Sequence, residues 1–225
     1  AISFSQRAAH NRGPQKRARM ITASTWQREL GEAITSVGQL LEALELPPDT
    51  VADRTVLQFP LRVPRSFVAR MRKGDPADPL LRQVLPLPAE KAAAPGYSAD
   101  PLGEQAANPA PGLLHKYRGR ALLIATQACA IHCRYCFRRE FPYAQQHDPQ
   151  ARWHSALASL RADPSIHELI LSGGDPLSLG TARLSELGEA VQALPHIRRL
   201  RIHTRVPIAL PARVDAELSD WLRGL

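Results

Sequence analysis

The sequence predicts an α/β protein: the first three βα units of a partial parallel barrel, preceded by a helical and extended N-terminal region. Three observations carry that prediction. From residue 113 onward, short β-prone runs alternate with amphipathic stretches, the texture of βαβ units. Between Leu85 and Leu114, six prolines (Pro86, Pro88, Pro95, Pro101, Pro109 and Pro111) exclude regular structure and mark a boundary. Upstream, an apolar stripe at helical spacing begins at Ser24. The expected organisation is a basic, disordered tail over 1–20, a helical and extended region over 21–112, and the half-barrel over 113–225.

The tail comes first. The 225 residues carry 29 Lys and Arg against 21 Asp and Glu, a net charge of +8. Arg7, Arg12, Lys16, Arg17 and Arg19 supply five of those charges before residue 21 with no acidic residue among them. The basic balance therefore belongs to a solvated arm and points to no nucleic-acid partner. Met20 stands just before the first patterned helix, so the arm reads as sequence upstream of the natural start.

Ser24 and Gln27 have capping-box spacing, and Trp26, Leu30, Ile34, Val37, Leu41 and Leu44 continue one stripe, which predicts a single helix stopped by Pro47 and Pro48. A second helix is expected over Ser66 to Lys73, ended by Gly74. In the half-barrel, the strands are expected at Ala121–Thr126, Glu168–Ser172 and Leu200–Thr204. Trp153, Leu157 and Leu160 mark the first helix, Leu184, Leu187, Val191 and Leu194 the second, and Val214, Leu218 and Trp221 the start of the third. Three strands alone leave a sheet edge with unpaired backbone groups. The third strand alternates Leu200, Ile202 and Thr204 with Arg201, His203 and Arg205, and alternation leaves open whether His203 and Arg205 line a site or meet solvent. The aliphatic run Ala121–Ala125 is far too short to span a bilayer and no charged-then-apolar leader opens the chain, so the expectation is a cytoplasmic protein with no membrane partner.

The chain has three cysteines, Cys129, Cys133 and Cys136, on the loop directly after the first strand. An odd, clustered set argues against a disulfide framework and for metal ligation. Loops at the C-terminal ends of parallel strands are where α/β barrels place reactive groups. Thiolates at C-x3-C-x2-C spacing can reach three corners of a four-iron cubane, and without a fourth cysteine one iron stays open to an exogenous ligand. Tyr135 and Phe137 are placed to shield such a cluster from water. The alternative is a structural zinc held by the three thiolates and His132 or His115, but zinc ligands usually come in close pairs, and no second pair occurs here.

This loop resembles the cluster motif of the radical S-adenosylmethionine (SAM) superfamily, C-x3-C-x-aromatic-C, through Cys129, Cys133, Tyr135 and Cys136. Members carry a Gly-Gly-acidic turn after the second strand that holds the SAM amino group, and Gly173, Gly174 and Asp175 stand in that place. The fold so implied is a partial (β/α) radical SAM barrel. Asp78-Pro-Leu-Leu-Arg-Gln-Val-Leu-Pro86, Asp100-Pro-Leu102, Pro111 to Arg120 and Cys133 to Arg139 narrow the resemblance to lysine 2,3-aminomutases. The wording of Leu61 to Phe67, Leu114-His-Lys-Tyr117 and Phe137 to Tyr143 is most like the bacterial branch that makes β-lysine for elongation factor P.

That resemblance implies an isomerase converting L-lysine to β-lysine by 2,3-amino migration. It uses a [4Fe-4S] cluster, SAM and pyridoxal 5′-phosphate, with a reductant such as flavodoxin or ferredoxin; whether the chain forms a homo-oligomer is left open. It assigns Cys129, Cys133 and Cys136 to the metal, Gly173, Gly174, Asp175, Tyr117 and Arg120 to cofactors, with Arg120 suited to the pyridoxal phosphate group, and Arg138 to the substrate carboxylate. No catalytic residue is assigned. The family's Schiff-base lysine and the carboxylates that hold the substrate ammonium lie later than Leu225, so the chain reads as C-terminally truncated and is expected to lack turnover by itself. Two other readings stand beside this one: a different radical SAM enzyme, and a non-catalytic iron-sulfur module.

Overall fold

A computed structural model describes residues 2–3, 24–51, 59–92, 95–142 and 149–225. Apart from Ile2 and Ser3, the expected basic tail lies outside the described residues, as do Met20 and Tyr143.

The N-terminal region holds three short helices, α1 (Thr25–Gly31), α2 (Val37–Ala43) and α3 (Arg65–Val68). The capping spacing at the start of α1 is realised, with the Ser24 backbone N–H donating to Gln27 Oε1 at 3.0 Å. The single helix expected through Leu44 is two, and the cause is tertiary. Ile34 leaves the helical path to exchange backbone hydrogen bonds with Val63, at 2.8 and 2.9 Å, in an isolated antiparallel bridge. Gly31 weakens the end of α1, and Ser36 opens α2 afresh. The second helix is also shorter than expected: α3 begins after Pro64 and gives way to turns at Ala69, while Gly74, at φ +69°, donates its N–H to the Leu44 carbonyl.

These pieces close around one apolar cluster that includes Leu40, Leu41, Leu44, Val63, Phe67 and Leu81. Phe67 and Leu81 are wholly buried, each worth roughly 1.5–3 kcal/mol of transfer free energy. Ile131, from the cysteine loop, is buried in the same cluster. The proline-rich stretch contributes turns and a 3-10 helix at Pro88–Lys91, as its composition demands.

The sheet consists of β2 (Leu113–Tyr117), β3 (Arg120–Thr126), β4 (Glu168–Gly173) and β5 (Arg199–Ile202), with a two-residue strand β1 (Ile2–Ser3) on the outer edge of β5. The β3–β4 and β4–β5 pairs are parallel, as predicted. β2 was not expected; it forms an antiparallel hairpin with β3, turning at Arg118-Gly119, where Gly119 sits at φ +72°. The sequence leaves one sheet edge unpaired without saying which; the outer edge of β5 is paired over Ile2 and Ser3 with Leu200 and Arg199.

Helices α4 (Pro149–Ala162) and α5 (Thr181–Gln192) cover one face of the sheet. Their Trp153, Ala156, Leu160, Leu187 and Val191 pack on Ala121, Leu123, Leu169, Leu171 and Leu200. A four-residue helix α6 (Val206–Ala209) and a 3-10 turn at Pro211–Arg213 precede α7 (Ala216–Gly224), so the third helix starts later than Val214. Arg213 is wholly buried, donating to the Leu177 and Leu179 carbonyls and stacking on Trp26. Among the described residues no helix is long and apolar enough to cross a membrane.

Strand alternation places Arg120, Leu122, Ile124, Glu168, Ile170, Ser172, Arg199 and Arg201 on the opposite face. It is polar at both ends. At the start of the strands the Glu168 carboxylate lies 2.9–3.3 Å from Arg120, Arg199 and Arg201.

Candidate metal centre

The cysteine loop leaves the C-terminal end of β3 and is held from two sides. From the sheet, Gly174 donates its N–H to the Thr126 carbonyl at 2.7 Å, and Asp175 donates to that of Ala128 at 2.8 Å. These contacts explain both glycines. A Cβ on Gly173 would stand 2.4 Å from the Thr126 oxygen, and one on Gly174 would stand 2.3 Å from the Ala128 oxygen. The Gly-Gly pair, read from sequence as room for a ligand, lets the end of β4 lie directly against the cysteine loop.

From the N-terminal region the grip is equally dense. His132 and Arg134 donate their backbone N–H groups to the Arg62 and Gln83 carbonyls, at 2.9 and 2.8 Å. The Arg134 guanidinium pairs with Glu90 and donates to the Phe59 carbonyl, Arg139 reaches the same Glu90 at 3.0 Å, and both guanidinium groups lie over the Phe59 ring. Within the loop, Cys136 donates to the Cys133 carbonyl and Arg139 to that of Cys136, two successive turns that keep the thiols on one short arc.

All three thiols are half-buried and free of disulfide bonds. Burial pushes the Cys129 thiol up to about 12, reinforced by the Asp175 carboxylate and the two neighbouring thiols and opposed by Arg205. Cys133 is also raised, again chiefly by burial, with Arg205 opposing. Desolvated thiols that repel one another's charge need a positive partner in order to ionise, and an iron cluster supplies one.

Three thiols at this spacing match the donor set of a cubane with one open iron. Among the described residues no group of three His, Cys, Asp or Glu side chains is placed to hold a single metal ion. The two histidines weighed as a fourth ligand each have Nδ1 placed near another group. His132 Nδ1 is 2.9 Å from the Pro60 carbonyl with its ring against Phe59, and His115 Nδ1 is 3.8 Å from Asp163.

Asp175 is 7% exposed, and its carboxylate accepts four hydrogen bonds: Leu177 N–H and Thr204 Oγ1 on Oδ1, Arg205 and Val206 N–H on Oδ2. It thus fastens the end of β4 to the chain leaving β5. Burial nonetheless raises its carboxyl above the usual aspartate value. Arg138 is equally buried; it grips Glu104 in a bidentate pair at 2.6 and 2.7 Å and donates to Ser172 Oγ at 2.9 Å.

Tyr135 and Phe137, expected to shield the cluster, are 61% and 47% exposed, and their ring faces carry Arg205 and Arg138. Of the pair that alternation left open, His203 is exposed, whereas Arg205 reaches back to donate to Cys133 Sγ.

The structure gathers Cys129, Cys133, Cys136, Gly173, Gly174, Asp175 and Arg138 at one end of the sheet. Tyr117 and Arg120 stand at the other: β3 has seven residues, so Arg120 lies about 20 Å along the strand from the loop, at ~3.3 Å per residue. Tyr117 is exposed in the hairpin, and Arg120 is paired with Glu168. The described residues therefore hold Tyr117 and Arg120 apart from the cysteines. Sequence reading passed over Glu104, Gln83 and Glu90. Their contacts span 34 to 122 residues of chain, and nothing in local periodicity marks them; the only signal was that Gln83 falls inside the run from Asp78 to Pro86.

Residues 118–200 match a family model described as a 4Fe-4S single cluster domain. The chain is 46% identical over 211 residues to the L-lysine 2,3-aminomutase of Escherichia coli K12, covering 90% of this chain and 61% of that protein. It is 44% identical to the Haemophilus influenzae enzyme of the same name (88% and 59%) and 30% identical to that of Clostridium subterminale (88% and 48%). The chain spans about three fifths of the length of the first two relatives.

Proposed function

We propose that the chain is the cluster- and SAM-binding part of a radical SAM lysine 2,3-aminomutase, an enzyme that isomerises L-lysine to β-lysine; the match to a 4Fe-4S domain and the identity with two proteins of that name support the reading. On this reading the parallel strands β3, β4 and β5 are the first three of a radical SAM barrel. The observation that carries it is the seating of the three free thiols Cys129, Cys133 and Cys136 on one loop at the C-terminal end of β3.

Cys129, Cys133 and Cys136 hold the cluster, which supplies one electron for reductive cleavage of the SAM sulfonium when both are bound. The turn at Gly173, Gly174 and Asp175 keeps the loop at a fixed height above the sheet and presents its outer surface to the SAM amino group. Arg138 takes the substrate carboxylate. Its fork now donates to the Glu104 carboxylate in a bidentate pair, so the substrate carboxylate takes the place of Glu104 there. Pyridoxal phosphate is the second cofactor of the reading; Tyr117 and Arg120 would help seat it, with Arg120 suited to its phosphate, and the Schiff-base lysine would come from the rest of the whole protein. The finer assignment is that the β-lysine modifies elongation factor P. It is supported by the motif wording of Leu61 to Phe67, Leu114 to Tyr117 and Phe137 to Tyr143.

The test is anaerobic reconstitution with iron and sulfide, then SAM and dithionite. The expected result is a brown protein that releases 5′-deoxyadenosine and loses both properties in Cys133→Ala. Uptake of zinc with refusal of iron overturns the reading, and a bound cluster without SAM cleavage favours an electron-transfer module. For the finer assignment, cells lacking their own lysine 2,3-aminomutase should regain β-lysyl mass on elongation factor P when supplied with the whole protein. No mass change despite β-lysine production would refute that branch.

A further inference from the structure

We infer that Arg205 tunes the cluster by donating to the Cys133 sulfur, and that Gln83, from the N-terminal region, is the positioning residue that aims it. The inference rests on the reading that the three thiolates hold a cluster.

Arg205 follows β5 and is held at several points. Its backbone N–H donates to Asp175 Oδ2 at 2.6 Å, Nη1 donates to Cys133 Sγ, Nη2 donates to Gln83 Oε1 at 2.8 Å, and its guanidinium carbon lies 5.3 Å from the Tyr135 ring centroid. Gln83 is fixed in turn. It sits in the 3-10 helix Leu81–Gln83, its carbonyl accepts from Arg134 N–H at 2.8 Å, and its Oε1 also accepts from the Tyr135 hydroxyl at 3.3 Å.

Charge pairing separates Arg205 from the other arginines around the loop. Arg134 and Arg139 share Glu90, and Arg138 grips Glu104. Among the described residues Arg205 has no salt bridge to a carboxylate; its guanidinium faces a thiol and an amide oxygen. It therefore keeps its full field on the sulfur.

An N–H donor and an unpaired cation at a ligand sulfur favour whichever state of a cluster carries more negative charge. Reduction transfers one electron from a low-potential donor to the cluster, with no bond made or broken and no proton moved. The reduced state is the more negative, so Arg205 stabilises it more and makes the electron easier to accept. Gln83 acts only through the direction in which it holds the guanidinium.

An EPR-monitored redox titration of the reconstituted chain tests this, comparing the parent with Arg205→Met, Arg205→Lys and Gln83→Met. Arg205→Met is expected to lower the ratio of reduced to oxidised cluster, at a fixed donor potential, by tenfold or more; one factor of ten equals about 59 mV for one electron. Arg205→Lys keeps the charge without the fork and should fall between. Gln83→Met, which leaves the arginine but removes its guide, should move the midpoint the same way by less. If Arg205→Met does not fold, the Lys and Gln83 variants carry the comparison. Midpoints unchanged in the variants that do fold overturn the inference while the cluster reading stands; a parent chain that takes up no iron overturns both.

Discussion

Replacing Gly174 by alanine separates two explanations of the Gly-Gly turn. In the structure the added Cβ would lie 2.3 Å from the Ala128 carbonyl oxygen and 2.7 Å from the Gln127 carbonyl carbon and oxygen. Real Cβ contacts essentially never fall under 3.0 Å, so β4 and the cysteine loop must part by about 0.7 Å. All of the obstructing atoms are backbone, and none can swing aside. Parting by that amount stretches the hydrogen bonds from Gly174 to Thr126 and from Asp175 to Ala128, now 2.7 and 2.8 Å, beyond useful length. Two lost hydrogen bonds at ~0.5–1.5 kcal/mol each, with an overpacking cost of ~1–3 kcal/mol, give a destabilisation of about 2–6 kcal/mol. Urea denaturation of the metal-free chain measures it, and iron and sulfide per chain after reconstitution should fall in parallel. Gly31→Ala is the control: nothing lies within 4 Å of its Cβ and the position is helical, so it should stabilise by roughly 0.5–1 kcal/mol. A Gly174→Ala chain with the parent's urea midpoint and iron content would refute the buttress. Loss of SAM binding alone would mean that the glycine serves the ligand instead.

Glu104→Ala strands the Arg138 cation, whose side chain is 7% exposed, and should cost about 3–5 kcal/mol in denaturation, with much of it recovered in the Glu104→Ala, Arg138→Met double variant; additive losses would deny the coupling. At Glu168, burial alone would raise the carboxyl, but the Arg199 hydrogen bond and the charges of Arg120 and Arg201 prevail and hold it below its ordinary 4.5. Its folded value thus lies under its unfolded one, so its stabilisation is complete above the unfolded value and is lost as pH falls through the folded one. Glu168→Gln should flatten the acid limb of stability below about pH 4.5, and an unchanged limb would count against the triple pairing. With Cys129 raised from 9.0 to about 12, its thiolate fraction at pH 8 is roughly a thousandfold below that of an ordinary thiol, so iodoacetamide should label it in the metal-free chain far more slowly than it labels glutathione; labelling at the glutathione rate would show the thiol to be solvated.

What the sequence made legible was what adjacent residues decide. The cysteine spacing, the parallel strands at Ala121, Glu168 and Leu200, and the apolar faces of α4 and α5 are short-range patterns, and the structure contains each of them. The broken first helix could not be read, because Ile34 has perfect helical spacing and leaves the helix only when Val63 arrives from 29 residues later. β2 escaped because the proline-rich texture runs up to Gly112 and masks the strand that follows; the glycine turn at Gly119 was its one visible sign. The aromatic shield failed for a related reason: a ring beside a cysteine looks apolar in sequence, yet Tyr135 and Phe137 use their faces for cations supplied by other elements.

The grip of residues 59–91 on the cysteine loop has a bearing on biosynthesis. A ribosome releases this segment some forty residues before it releases the thiols. The apolar cluster built by Leu40, Val63, Phe67 and Leu81 draws all its buried members but Ile131 and Ala209 from residues 34–85, so collapse there can precede the arrival of Ile131. The nascent loop then meets a cradle already folded, which favours maturation machinery that delivers iron and sulfide to a shaped recess over one that must capture an unfolded tripod.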